Sequence, residues 1–233
     1  MLVNLGCVLQ MNITSMTNLL ETVVIDPPEE PAGTIIWLHG LGADALDFEP
    51  IVPLLRLKRP LRFVFPNAPI RPVTINAGAE MRAWYDANPN DPTAGQVDIA
   101  ASVSAVAALV DQERDAGIPA RNITLAGFSQ GGVIALELGL SFHHRLAGIM
   151  ALSTYVHDHE HLVDRIDFAN IDCPIFFAHG LHDPMIPITR AITARETLRG
   201  LNYEIEWHEY TMAHQICPEE INDIAGWLNG RYP

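Results

Sequence analysis

The chain alternates short apolar runs with longer amphipathic stretches, and this alternation restricts its fold more than any other feature. The short runs are rich in β-branched and aromatic residues and are mostly continuous, as in strands buried on both faces. Helical spacing of apolar residues marks the longer stretches, which lie mostly between the runs. Strands that alternate with helices predict an α/β fold with a mostly parallel central sheet flanked by helices. The predicted strands are residues 21–25, 34–38, 61–65, 123–128, 146–152, 174–178 and 203–210, and the predicted helices are 98–115, 130–140, 188–198 and 218–228.

The length of the chain predicts one domain. Its 233 residues, 48% of them apolar, are enough for one substantial core and too few for two typical domains. No internal repeat, low-complexity tract or flexible linker marks a boundary, so we expect a single domain over residues 17–233. Residues 1–16 are expected to form a disordered tail. A second methionine, Met11, is an alternative translation start, which would leave the first ten residues outside the native protein.

Charge and cysteine content narrow the classes of partner and compartment. The chain has 14 Lys and Arg against 28 Asp and Glu, and a net charge of -14 disfavours nucleic acid and anionic membrane surfaces. Cys7, Cys173 and Cys217 are too scattered for a disulfide framework and form no C-x-x-C pair. The sequence has no basic segment of a secretory signal and no run of about 20 apolar residues. We therefore expect a cytoplasmic protein without integral membrane association.

A G-x-S-x-G motif is the strongest chemical signal in the sequence. Gly127, Ser129 and Gly131 lie between a predicted buried strand and an amphipathic helix. In that context the serine sits on a strained strand-to-helix turn that exposes its hydroxyl at a helix N-terminus, where backbone N–H groups favour an anion. The motif alone is common, and the alternative is a simple glycine-rich turn. The strand before it and the helix after it favour Ser129 as a nucleophile.

A serine nucleophile needs a histidine to accept its proton and a carboxylate to orient that histidine. Asp183 follows the strand 174–178, whereas Asp172 precedes that strand and would lie at the opposite end of the sheet. His214 follows the last predicted strand and precedes the last helix, whereas His208 lies within the strand. The order Ser, Asp, His is typical of serine hydrolases with this type of sheet. The alternative for Asp183 is a helix N-cap or turn residue, and the alternative for His214 is a histidine in a surface loop.

The oxyanion of an acyl-transfer intermediate needs two backbone donors. We expect one from Gln130, the residue after the serine, and one from Leu41, in the turn between Gly40 and Gly42. His39, beside this turn, is interpreted as a structural hydrogen-bonding residue in preference to a second base.

Two further segments have distinct compositions. Residues 66–96 are dense in Pro, Asn, Gly and Asp without a clear long element, and loops of this length are often functional. We interpret them as a substrate-binding loop. Residues 157–161 read HDHEH, which could bind a divalent metal or form a solvated rim. We favour the rim and assign no metal site.

Taken together, these residues resemble the acyl-protein thioesterase and carboxylesterase family of α/β-hydrolases, which also contains lysophospholipases. The matching segments include WLHGLGAD, MRAWYD, LAGFSQGG and HGLHDPMIP, and they extend from about residue 35 to the C-terminus. The resemblance implies Ser129, Asp183 and His214 as the triad, Leu41 and Gln130 as oxyanion donors, no large cap domain and no cofactor. By the same analogy Leu41, Met81, Trp84 and Met185 line the acyl groove.

The sequence departs from the family beside the histidine, where Ala213 and Gln215 replace the usual Gly and Ser. The substitutions could narrow the pocket but remove no catalytic group. The expected substrate is a small-molecule ester or acyl thioester, with lysophospholipids and acylated proteins included. The oligomeric state, a homodimer among the options, stays open. The alternative to an enzyme is a catalytically silent α/β-hydrolase that acts as a binding protein.

Overall fold

The computed structural model describes residues 20–88, 91 and 93–232. The predicted tail at residues 1–16 and the cysteine Cys7 lie outside the described residues.

A seven-stranded sheet forms the centre of the molecule. Its strand order is β1-β3-β2-β6-β7-β8-β9, in which β1 runs antiparallel to β3 and the other pairs are parallel. All seven predicted strands are present, with bounds shifted by no more than two residues. The described strands are Thr22–Ile25 (β1), Gly33–Leu38 (β2), Leu61–Pro66 (β3), Ile70–Val73 (β4), Ala79–Arg82 (β5), Ile123–Phe128 (β6), Gly148–Leu152 (β7), Ile175–Gly180 (β8) and Ile205–Tyr210 (β9).

Four α-helices cover the two faces of the sheet, and the mostly parallel α/β architecture is confirmed. Residues of the first three helices pack in one hydrophobic cluster, and residues of the last helix pack in a second cluster on the opposite face. None of the described helices is long and apolar enough to cross a membrane. The helices are Gln96–Asp115 (α1), Gln130–Ser141 (α2), Ile188–Gly200 (α3) and Pro218–Arg231 (α4).

Strand β2 shows why the apolar runs are continuous. Every residue of β2 is buried. Ile36 and Leu38 belong to the cluster that contains α1 to α3, whereas Ile35 and Trp37 belong to the cluster that contains α4. Because successive side chains point to opposite faces, a strand covered on both sides needs apolar residues at every position.

The segment 66–96 contains a short hairpin that the sequence analysis did not predict. Strands β4 and β5 pair antiparallel as a separate two-stranded sheet. Pro72 lies within β4, and both strands have four residues, which leaves little signal of alternation. The Gly42 amide donates to the Arg82 carbonyl at 2.9 Å, so the hairpin is joined to the loop after β2.

The parallel strands bring the predicted site residues to one edge of the sheet. Leu41 follows β2, Ser129 follows β6, Asp183 follows β8 and His214 follows β9. Because the carboxyl ends of parallel strands share an edge, the loops that carry these residues meet there, as is general for open α/β sheets.

Candidate active site

Ser129 occupies a tight turn between β6 and α2. Its backbone has φ 55° and ψ −119°, a conformation that residues other than glycine rarely adopt. The Ser129 amide donates to the Leu152 carbonyl at 2.8 Å, and the Thr154 hydroxyl donates to the Ser129 carbonyl at 2.7 Å. These contacts with the end of β7 and the residues after it hold the strained turn in place.

The glycines of the motif permit close backbone packing around the turn. A Cβ atom on Gly127 would lie 2.2 Å from the Gly131 carbonyl oxygen. A Cβ atom on Gly131 would lie 2.5 Å from the carbonyl oxygen of Leu38, in the neighbouring strand. Neither position has room for a side chain, so the start of α2 packs directly against the end of β2.

Asp183 and His214 form a hydrogen-bonded pair. His214 Nδ1 donates to Asp183 Oδ2 at 2.6 Å, while Asp183 Oδ1 accepts from the Met185 and Ile186 amides at 2.8 and 2.9 Å. The carboxylate of Asp183 is completely buried, whereas the imidazole is partly exposed. Because a carboxylate only accepts, this bond places the histidine proton on Nδ1 and leaves Nε2 free to accept another.

The loops that carry this pair are joined by their backbones. The Leu181 amide donates to the Tyr210 carbonyl at 2.8 Å, and the His182 amide donates to the Met212 carbonyl at 3.0 Å. A Cβ atom on Gly180 would lie 2.4 Å from the Ala213 carbonyl oxygen, so the two loops are in close contact. The geometry of the pair is therefore fixed by the backbone as well as by the side-chain hydrogen bond.

Ser129 and His214 line the same cavity, which has a volume of about 790 Å³. The ring of Phe128, the residue before the serine, lies 4.8 Å from the His214 ring between centroids. Among the hydrogen bonds of the described residues there is none between Ser129 and His214. Serine–histidine contacts are often long without substrate and shorten in the reacting complex.

The two predicted oxyanion donors, Leu41 and Gln130, also line this cavity. Gln130 is the first residue of α2, so its amide has no acceptor within the helix. Neither amide donates a hydrogen bond within the part of the chain that the structure describes. Both are therefore available to an oxygen atom bound in the cavity.

His39 fixes the turn that carries Leu41. Its Nδ1 donates to the Gly40 carbonyl at 2.7 Å, and its Nε2 accepts from the Ala68 amide at 3.0 Å. Burial lowers the pKa of this imidazole, which favours its neutral form. Both ring nitrogens are occupied by backbone groups, which agrees with the structural role expected for His39.

The side chain of Gln130 has a role that the sequence analysis missed. Its Oε1 accepts from the Trp84 amide and its Nε2 donates to the Tyr85 carbonyl, both at 2.7 Å. The residue after the serine thus joins the start of α2 to the segment after the β4–β5 hairpin. No local pattern signals this contact, because the partners lie 45 and 46 positions away in the chain.

The expected position of Trp84 in the acyl groove is wrong. Trp84 is 0% exposed, and its indole N–H donates to the His39 carbonyl at 2.9 Å. It supports the cavity from behind and does not contact the open space. Met81 packs near Gly42 and also lies outside the residues that line the cavity, whereas Met185 does line it and is 68% exposed.

The segment 66–96, interpreted from the sequence as a substrate-binding loop, supplies a large part of the cavity wall. Its lining residues are Ile75, Asn76, Tyr85, Asp86, Ala87, Asn88, Asp91 and Ala94. Ala213 and Gln215, where the sequence departs from the family pattern, are exposed and do not line the cavity. Neither of these side chains therefore narrows the cavity.

His179 is a second residue that the sequence analysis missed. It is completely buried at the end of β8, and its Nε2 donates to the Ile186 carbonyl at 2.8 Å. The same nitrogen lies 3.5 Å from Asp183 Oδ2, and burial lowers the pKa of the ring. Its position four residues before Asp183, in the segment HGLHD, is the sequence signal that could have identified it.

The competing candidates lie elsewhere. Asp172 forms an ion pair with Arg145 at 3.0 Å, and His208 stacks on Phe176 with ring centroids 4.7 Å apart. Asp158 of the HDHEH segment contacts His161 of the same segment and Arg165, which follows it. The described residues contain no group of three or more His, Cys, Asp or Glu side chains arranged to hold a metal ion.

Comparison with known proteins identifies relatives over nearly the whole described chain. The model of the phospholipase/carboxylesterase family matches residues 20–231. Acyl-protein thioesterase 1 of Yarrowia lipolytica is 36% identical over 205 residues, which cover 84% of this chain and 90% of the relative.

Two solved plant structures are similar. SOBER1 of Arabidopsis thaliana has a TM-score of 0.81 and 30% identity, covering 86% of this chain and 99% of that protein. Acyl-protein thioesterase 2 of Zea mays also has a TM-score of 0.81, with 25% identity, covering 91% of this chain and 99% of that one.

Proposed function

The chain belongs to the phospholipase/carboxylesterase family of α/β-hydrolases and is a serine hydrolase of carboxylic esters or thioesters, and from this premise we propose that Ser129, His214 and Asp183 are its catalytic triad. One observation carries the proposal. The strained turn that presents Ser129 lines the same cavity as a histidine whose Nδ1 is bonded to a buried carboxylate. This is the arrangement that serine activation requires.

In the proposed acylation step, Ser129 Oγ attacks the acyl carbon while His214 Nε2 accepts the hydroxyl proton. Asp183 holds the imidazole with Nε2 toward the serine and stabilises the imidazolium that forms. The Leu41 and Gln130 amides donate to the oxyanion of the tetrahedral intermediate. His214 then gives its proton to the departing alcohol or thiol, and an acyl-enzyme remains.

Deacylation repeats these roles with water as the nucleophile. His214 takes a proton from water, the hydroxide oxygen adds to the acyl carbon, and collapse of the second intermediate returns the proton to Ser129. The acid is released and the enzyme is restored. Every proton in the cycle is carried by His214 or water, so the mechanism that we propose needs no cofactor.

We further propose that the substrates are acyl thioesters or small carboxylic esters, with acylated proteins and lysophospholipids as candidates. The names of the relatives support acylated proteins, and the family description supports phospholipids. A cavity of about 790 Å³ has the size of a typical small-molecule site. The two described free cysteines, Cys173 and Cys217, favour a cytoplasmic location.

A fluorophosphonate probe, which phosphonylates activated serines, tests the proposal. We expect one adduct per chain by intact-protein mass spectrometry, located on Ser129 by peptide mapping, and no adduct on Ser129→Ala. Ser153→Ala is the matched control, because Ser153 is also a serine at positive φ after a sheet strand but is fully buried outside the cavity. That variant should be labelled like the parent.

An unlabelled parent would support the silent binding protein instead, and labelling of Ser129→Ala would assign the nucleophile to another residue. A panel of p-nitrophenyl esters, lysophospholipids and a palmitoylated peptide then ranks the substrate classes by kcat/KM. Hydrolysis of the palmitoylated peptide at a rate no higher than that of the Ser129→Ala variant would exclude acylated proteins.

A further inference from the structure

One wall of the active-site cavity is a continuous cluster of polar and cationic side chains. The cluster consists of Tyr85, Tyr155, His157 and Arg190, all of which line the cavity. The hydroxyls of the two tyrosines are hydrogen-bonded at 2.9 Å. The Arg190 guanidinium carbon lies 3.4 Å from the centroid of the Tyr155 ring, and the rings of His157 and Tyr85 are 5.6 Å apart in a T-shaped contact.

Arg190 is an exposed cation that stacks on Tyr155 but has no anionic partner among the described residues. In a chain of net charge -14, it forms no ion pair and no hydrogen bond from its guanidinium within the described residues. It is also the single Lys or Arg among the described residues that line the cavity. Stacking on Tyr155 holds the guanidinium plane but leaves its N–H donors free at the edges, where they match the oxygen spacing of a carboxylate or phosphate.

His157 is the second unusual residue of this wall. Both of its ring nitrogens are buried, and neither has a hydrogen-bond partner in the described part of the chain. Burial lowers the pKa of the ring, Arg190 and Arg165 lower it further, and Asp158 opposes them. A neutral imidazole carries one N–H donor, and a buried donor without a partner is costly, so His157 is under strain at this wall.

Three carboxylates also line the cavity, and two of them are already engaged. Asp86 accepts from the Thr74 amide and hydroxyl at 2.7 Å, and Asp91 accepts from the Thr93 hydroxyl at 2.7 Å. The third acid that lines the cavity is Asp47. Away from the Leu41 and Gln130 amides, an anion in the cavity would therefore meet the Arg190 guanidinium on this wall instead of a carboxylate.

We propose that Arg190 and His157 form an anion subsite, which selects ester or thioester substrates that carry an additional carboxylate or phosphate group. Arg190 binds two oxygens of that group through its guanidinium edge, and the His157 ring lines the cavity beside it. The subsite deepens the proposed function, on which it rests, by defining the substrate class of the same cavity. It predicts discrimination by charge in addition to acyl length.

Pairs of substrates with and without an anionic group test the subsite. The first arm uses the p-nitrophenyl half-esters of adipic, suberic and sebacic acids, each compared with its ω-carboxamide. The second arm compares octanoyl lysophosphatidate with octanoylglycerol. A carboxylate preference appears in the first arm and a phosphate preference in the second, and the readout is the ratio of kcat/KM for the anionic and neutral members.

We expect the parent to prefer the anionic member in at least one arm. Arg190→Gln should lower that ratio about tenfold to a hundredfold, because a charge-assisted hydrogen bond is lost, and Arg190→Lys should lower it less. Arg195→Gln is the matched control, because Arg195 lies on the same helix but stacks on Trp207 outside the cavity. Its ratio should stay within about twofold of the parent's.

The subsite is refuted if the parent shows no anionic preference in either arm, or if Arg190→Gln lowers both members of a pair by the same factor. A binding measurement separates this outcome from failure of the triad. Calorimetry should give a dissociation constant for suberate binding to the Ser129→Ala variant. Adding Arg190→Gln to that variant should raise the dissociation constant about tenfold or more. Equal suberate binding with and without Arg190 would overturn the subsite, whatever the result for catalysis.

Discussion

The turn around Ser129 and the loops that form the cavity walls are held by different kinds of contact. The turn is built from adjacent residues of one motif, and its glycines touch the neighbouring backbone. The walls combine residues from distant segments, 66–96 and 181–190, and several of their side chains are exposed. Gln130 connects the two regions through its hydrogen bonds to residues 84 and 85.

The difference teaches which parts of the enzyme can vary. A position where added atoms would meet backbone cannot accept a side chain, whereas an exposed wall residue can change with little effect on stability. We therefore expect the chemistry to depend on the turn, and substrate choice to depend on the walls. The predictions for residues outside the triad follow in order of their expected effect on turnover.

Outside the triad, Gly131→Ala should be the most damaging substitution, because it forces the start of α2 away from β2. The added methyl would lie 2.5 Å from the Leu38 carbonyl oxygen and 2.6 Å from that of His39. We expect kcat on a p-nitrophenyl ester to fall by about a hundredfold or more, and the free energy of unfolding to fall by about 3 kcal/mol. Urea denaturation and steady-state kinetics measure both.

The control for this substitution is Gly226→Ala in α4, where nothing lies within 4 Å of the added methyl. It should raise the free energy of unfolding by about 0.5 to 1 kcal/mol, because alanine favours the helix, and leave kcat unchanged. A Gly131→Ala enzyme with parental kcat would show that the turn tolerates displacement and that the contrast between the two regions is wrong.

Gln130→Ala tests the connection between the regions, since it retains the backbone donor and removes the side chain. Two buried backbone groups, the Trp84 amide and the Tyr85 carbonyl, would lose their partners. We expect a loss of about 2 to 4 kcal/mol in the free energy of unfolding and a decrease of about tenfold in kcat/KM. Gln112→Ala, an exposed position in α1, should change stability by less than about 0.5 kcal/mol. Equal effects of the two substitutions would contradict the connection.

The same contrast explains how far the sequence could predict the molecule. Ser129, Asp183 and His214 each follow a strong strand signal, so their side chains could be assigned to one edge of a parallel sheet before any coordinates were known. The seven sheet strands and four helices were predictable for a related reason, because burial on both faces leaves long apolar runs and clear helical spacing.

The walls could not be predicted, because they depend on contacts between distant residues. Trp84 was misplaced because its burial is decided by His39 and Gln130, which lie 45 and 46 positions away in the chain. The β4–β5 hairpin has strands of four residues, one of them containing Pro72, and so gives almost no periodic signal. His157 and Arg190 stand out only once their missing partners can be seen in three dimensions.

Glu220 allows the stability of the region that carries His214 to be tested as a function of pH. Its substitution should leave turnover unchanged. Its carboxyl group is completely buried in the first turn of α4, and burial raises its pKa from 4.5 to about 8. Because the folded protein then binds this proton more tightly than the unfolded chain, its contribution to stability is full below about pH 4.5 and is lost as the pH rises toward about 8.

Glu220→Gln removes that titration, so the stability of the variant relative to the parent should grow by about 3 kcal/mol between about pH 5 and about pH 8. Urea denaturation at several pH values measures the difference. Glu219→Gln, its exposed neighbour in the same helix, should show no such trend. A difference between Glu220→Gln and the parent that does not vary with pH would assign the pH dependence to other groups.

The central claim is that Ser129 and His214 act as one catalytic unit, and non-additivity measures it most directly. We would determine kcat on p-nitrophenyl butyrate for Ser129→Ala, His214→Ala and the double variant. Each single substitution should lower kcat by about 10⁴-fold or more, and the double variant should lie within about tenfold of either single one. A His214→Ala enzyme within tenfold of the parent, or losses that multiply in the double variant, would contradict the account.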